Sequence, residues 1–141
     1  MKFLADTNLV SELTKLRPDP TVLAWIRAND PDLVLSWVSV AELRAGVALM
    51  PKGRRRDEMR AAVESLIADF YEDTSVPLLG STAAFVADLA ERHRSAGLSP
   101  GWPDTVIAAV CMEHGLTVAT RNTQDFPDVP TVNPWDEAPG R

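Results

Sequence analysis

The run KFLA, residues 2–5, is apolar after its first residue, does not alternate with polar residues, and stops on Asp6. A strand of that kind is buried on both faces, the habit of an internal strand in a parallel sheet covered by helices. The pattern recurs along the chain: DLVLSWVS reads as a second strand, SVPLL as a third, LTVAT as a fourth and TVNPW as a fifth. Amphipathic segments separate the first four. A helix from about Asn8 to Leu16 stops at RPDP, and Pro20 suits the first turn of PTVLAWIRAND. SVAELRAGVALM carries Val40, Leu43, Val47 and Met50 at helical spacing, and RRRDEMRAAVESLIADFYED carries Met59, Val63, Leu66, Ile67 and Phe70. STAAFVADLAERHRSAG closes on Gly97. After the loop SPGW, Pro103 opens PDTVIAAVCMEHG, which Gly115 ends. The expected fold is therefore α/β, a mainly parallel sheet of four or five strands with helices on both faces. Nothing divides the chain, so residues 1–141 read as one domain, with about 136–141 as a short irregular tail.

In such sheets ligands bind at the carboxyl ends of the strands. Four acids occupy related places there: Asp6 after the first strand, Glu42 in the first helical turn after the second, Asp104 beside Pro103, and Asp125 five residues past Thr120. Each has a structural reading. Asp6 can cap a helix, SVAE fits a capping box between Ser39 and Glu42, Asp104 suits a first helical turn, and Asp125 can hold a turn. Together they mean more, because a parallel sheet brings its like strand ends to one edge. Converging carboxylates repel unless protonated or joined by a cation. Oxygen donors without His or Cys suit a hard cation, Mg²⁺ or Mn²⁺, with Thr7 and Asn122 as neutral helpers. A hard cation, an activated water and a phosphodiester make a metal-dependent phosphodiesterase.

Other features narrow the field. Neither phosphate-cradling glycine loop is present, nor G-x-S-x-G. The longest apolar run, VIAAVCM, is far short of the roughly 20 residues of a membrane span, and Asp6 interrupts any signal-peptide core, which leaves a cytoplasmic setting. Cys111 reads as a small core residue, His93 as part of a solvated face, His114 as a helix-end residue, and the four tryptophans as core or interface packing. The net charge of −6 argues against a protein coated in basic charge, although KGRRR at residues 52–56 is a local basic patch. LADTN also places an aspartate as haloacid-dehalogenase-like phosphatases do, but those enzymes need a second acid where Asn8 stands.

The stretches FLADTNLVSEL, VSVAELRAGV, PDTVIAAVCMEHGLTVATRNTQDF and VPTVNPW, in that order, resemble PIN-domain ribonucleases, and within them the VapC toxins of VapBC toxin–antitoxin modules, FitB-like subgroup. The resemblance implies that Asp6 and Asp104 are the principal Mg²⁺ ligands (Mn²⁺ substituting), with Glu42 the third acid and Asp125 the last. Asn122 supports Asp125, and Thr7 and Asn8 shape the first turn. It further implies an endonucleolytic RNA substrate, a homodimer, inhibition by a VapB- or FitA-like antitoxin covering the acids, and promoter DNA bound through that antitoxin. Lys52, Arg54, Arg55 and Arg56, with Arg44 and Arg121, are the expected phosphate contacts. The alternative is a non-catalytic repressor partner that holds an antitoxin on DNA, its acids serving the antitoxin's Arg.

Overall fold

The computed structural model describes residues 2–76 and 80–136. Five parallel strands lie in the order β3-β2-β1-β4-β5. They are β1 (Phe3–Ala5), β2 (Leu33–Ser36), β3 (Ser75–Val76), β4 (Thr117–Ala119) and β5 (Thr131–Val132). The helices are α1 (Thr7–Glu12), α2 (Pro20–Asn29), α3 (Trp37–Ala48), α4 (Arg54–Thr74), α5 (Thr82–Ser95) and α6 (Trp102–His114).

Register divides the core. Leu4 stands opposite Val34 and Val118, and these three point to one face with Leu89, Ile107, Val110 and Phe126. Ala5, Leu35 and Ala119 align one residue on and face the other side, with Leu9, Val22, Leu43, Ile67 and Phe70. Alternation is thus present in space yet invisible in sequence, because helices bury both faces. The chain first winds outward from β1 through β2 to β3, then crosses back to lay β4 on the other side of β1. That reversal opens a crevice beyond the carboxyl ends of β1 and β4, the place where parallel sheets take ligands.

Several expectations change at the element ends. The second strand stops at Ser36, and Trp37 to Ser39 already belong to α3. Ser36 is the helix cap, its hydroxyl accepting from the Ser39 amide at 3.2 Å. A buried serine hydroxyl satisfies a first-turn amide there better than the β-branched run could extend the strand. The capping box between Ser39 and Glu42 therefore does not form, and Glu42 lies in the second turn. The first helix ends at Glu12, short of Leu16, and α6 begins at Trp102 rather than Pro103. Of SVPLL, Ser75–Val76 is strand and the remainder lies outside the described residues. The fifth strand spans only Thr131–Val132, because Asn133 turns the chain by accepting from the Trp135 amide. The two glycine stops form as expected, Gly97 at φ 72° and Gly115 at φ 66°.

His93 departs most from its expected place. It is 6 % exposed, one turn beyond the buried Leu89 on α5, and its Nε2 lies 2.6 Å from Asp128 Oδ2. Its carbonyl accepts from the Leu98 amide at 2.8 Å. One residue thus ties α5 both to the segment that carries Asp125 and to the loop that leads to α6. His93→Ala strands Asp128 without that partner and is expected to lower the unfolding free energy by about 3 kcal/mol. Urea denaturation checks this; a change under about 0.5 kcal/mol, the size of an ordinary surface substitution, contradicts it.

Candidate active site

Asp6 ends β1 and caps α1, so both readings of this residue hold at once. Its amide donates to the Ala119 carbonyl at 3.0 Å, continuing the ladder of β1 onto β4. Its carboxylate is 6 % exposed and accepts from the Thr7 amide at 2.8 Å, Thr120 Oγ1 at 2.8 Å and Asn8 Nδ2 at 3.1 Å. Thr120, fully buried, also accepts from Asn8 Nδ2 and from the Asn122 amide. Thr7 Oγ1 donates to Glu42 Oε1 at 2.8 Å and so reaches across from α1 to α3. Asp104 and Asp125 also line the cleft at this sheet edge, and among the described residues their carboxylates accept no hydrogen bond.

These side chains line one open cleft of about 460 Å³, bounded by Asp6, Thr7, Asn8, Glu42, Asp104 and Asp125 together with Arg121, Asn122 and Trp135. All four acids named from sequence meet there, as do Thr7, Asn8 and Asn122. Arg121 is the one expected phosphate contact that lines the cleft. Arg44 grips Glu64 through two hydrogen bonds of 2.9 and 3.0 Å, tying α3 to α4. Lys52, Arg54, Arg55 and Arg56 sit just before and at the start of α4, outside the lining, with Arg54 on Glu58.

The sequence reading did not name Ser11, Glu12, Lys15 and Trp135 as cleft residues, nor the buried Thr120 that donates to Asp6. Glu12 is 5 % exposed, accepts from the Asp19 amide at 3.0 Å and pairs with Lys15 at 2.6 Å. The Lys15 bond, then the Asp19 amide, hold its carboxyl below the usual range. Its signal was present: Thr7, Asn8, Ser11, Glu12 and Lys15 form a polar stripe at helical spacing. Thr120 had only its place after β4 to mark it, and Trp135 lay in a segment read as strand.

The acids feel one another. Burial raises the Asp104 carboxyl, and the charges of Asp6, Asp125 and Glu42 raise it further, to about 6. Asp6 is also raised, by burial first, against the lowering bonds from Thr120 and Thr7. Burial likewise pushes the Cys111 thiol up to about 12, so it is an inert core residue as expected. Among the described residues no three acid, His or Cys side chains crowd closely enough to enclose an ion unaided. Mg²⁺ does not need such a cage: it keeps several waters and takes one or two carboxylates plus substrate phosphates. Asp6 and Asp104 could hold it, with Glu42 and Asp125 orienting its waters.

The PIN domain family model matches residues 3–132. The chain belongs to the PIN-domain family. Its relatives include VapC ribonuclease Y4jK of Sinorhizobium fredii, 39% identical, covering 94% of this chain and 97% of that protein. Toxin FitB of Neisseria gonorrhoeae is 35% identical over 95% of this chain and 99% of its own length. The solved structure of FitAB bound to an IR36 DNA fragment superposes with a TM-score of 0.85 at 32% identity, covering 99% of each chain. This PIN domain is thus of the VapC and FitB toxin type, with the α/β fold expected of it. Among the described residues no helix is long and apolar enough to cross a membrane.

The raised carboxyls set a pH dependence. A protonated Asp104 favours the fold; that contribution is complete below the ordinary carboxylate range and is lost as pH rises through about 6. In chelator, Asp104→Asn is expected to melt above the parent at pH 7, and the gap is expected to close as pH falls from 7 toward 4. Thermal melts across that range check it; a gap independent of pH contradicts a raised Asp104 carboxyl.

Proposed function

We propose that this chain is a Mg²⁺-dependent endoribonuclease, the toxin of a two-component module, held inactive by a cognate antitoxin. The observation that carries the reading is the meeting of Asp6, Glu42, Asp104 and Asp125 in one cleft at the β1/β4 edge, close enough to perturb Asp104. A hard divalent cation there supplies charge neutralisation for a scissile phosphate and acidifies a water. The chain's own residues do the rest. Thr7, Asn8 and Thr120 fix Asp6, so that its remaining lone pairs keep one direction. Thr7 turns Glu42 into the cleft. Asp104 and Asp125 keep acceptor oxygens unspent for a cation or its waters. Lys52, Arg54, Arg55 and Arg56, with Arg44, are proposed as outlying phosphate contacts.

An antitoxin and promoter DNA enter by likeness, since FitAB is an assembly bound to DNA. A homodimer is the proposed assembly. What supports it is an apolar hollow of about 460 Å³ between α5 and α6, lined by Val86, Ala90, Val106 and the exposed Trp102. A second reading, the non-catalytic repressor partner, also has an observation in its favour. Asp6 and Glu42 are already hydrogen-bonded within the chain, a state that suits an incoming antitoxin Arg as well as a cation.

Cleavage of total cellular RNA separates the two. With Mg²⁺ or Mn²⁺ the antitoxin-free chain is expected to give discrete fragments. EDTA, or Asp6→Asn with Asp104→Asn, is expected to lower the rate by about 100-fold or more. Cleavage that survives both controls contradicts the metal mechanism, and no cleavage of any RNA class favours the repressor partner.

A further inference from the structure

Two cations line the acidic cleft, and they are held in different ways. Lys15 closes on Glu12 at 2.6 Å. Arg121, although five carboxylates share its cleft, pairs with none of them among the described residues. Its guanidinium carbon lies 5.3 Å from the centre of the Trp135 ring instead.

That ring is anchored. Trp135 packs on the core between the sheet and the first four helices, and its amide donates to Asn133 Oδ1 at 3.0 Å. Asn133 Nδ2 in turn donates to Asp136 Oδ2 at 3.0 Å, closing the turn. The backbone of Arg121 is held too, its amide donating to Asn8 Oδ1 at 3.3 Å. A long exposed cation at the rim of an anionic cleft is drawn onto the carboxylates, where a guanidinium forms paired hydrogen bonds. There it would spend the charge that attracts a metal ion. The ring's quadrupole offers it another seat. A guanidinium seated over a ring rather than on a carboxylate keeps its planar fork of N–H donors for a phosphate, a fork that lysine lacks.

We propose that Trp135 and Arg121 form a phosphate subsite at the rim of the cleft. Arg121 grips the phosphate beside the scissile one on a single-stranded RNA, and Trp135 is the positioning residue that keeps its guanidinium off the acids. The proposal deepens the nuclease reading and rests on it.

The test uses the full chain carrying Asp104→Asn, so that a single-stranded RNA oligonucleotide in Mg²⁺ is bound without being cut. Its affinity is measured against NaCl concentration. Adding Arg121→Ala is expected to reduce the slope of log affinity on log salt by about 0.7, one phosphate contact. Arg121→Lys is expected to restore the slope only in part; Trp135→Leu behaves like Arg121→Ala, and Trp135→Phe, which keeps a ring, like the parent. A second titration, of Mn²⁺ into chains with all acids intact, separates positioning from general damage. Trp135→Leu lets Arg121 fall onto the acids and weakens Mn²⁺ binding roughly tenfold, and adding Arg121→Ala restores it. A salt slope unchanged by Arg121→Ala, or no recovery of Mn²⁺ binding in the double variant, overturns the subsite and leaves the nuclease reading standing. No RNA binding by the Asp104→Asn chain overturns both.

Discussion

The pairing of β1 with β4 is the contact on which the rest of this structure depends. It joins residues more than a hundred positions apart, through the Asp6 amide on Ala119 and Thr120 Oγ1 on the Asp6 carboxylate. No local propensity supplies that contact. It follows from a crossover that lays β4 against the inner side of β1 once β2 and β3 have been placed on the other. The crevice beyond those two strand ends follows from that order, and the four acids sit on its walls.

The walls are not stable for their own sake. Burying a carboxylate among like charges opposes folding, and the Asp104 carboxyl is raised by burial first and by its acidic neighbours second. The chain meets the cost locally rather than by removing the acids. Asp6 takes three hydrogen bonds, Glu42 one, and Glu12 a lysine and a backbone amide. Asp104 and Asp125 receive none of this help. The site is thus graded, from an acid fixed by three hydrogen bonds at the sheet edge to two acids with none among the described residues.

Much of this could be read from the residues, and the failures have physical causes. The positions of strands and helices along the chain followed from apolar runs and their breakers, and the four acids from their places after strands; the spatial order of the strands did not. The capping box failed because Ser36 and Ser39 compete for one role, and burial of the Ser36 hydroxyl decides it. His93 was misplaced because histidine suggests solvent, although its spacing from Leu89 put it on the buried stripe. Glu12 was legible as one tooth of a polar stripe; Trp135 was not, since a turn rather than a strand carries it to the cleft. Basic residues were the least legible. Their sequence clustering says nothing about distance from the acids, and of those expected to touch phosphate only Arg121 reached the cleft.

The β1/β4 cleft is proposed to hold a hard cation through Asp6 and Asp104. The most direct measurement is a crystal of the antitoxin-free chain soaked in Mn²⁺, with diffraction recorded where manganese scatters anomalously. The expected result is an anomalous peak in the cleft beside Asp6 and Asp104. A clean map over the cleft, with Asp6 still bonded to Thr120, would contradict that proposal.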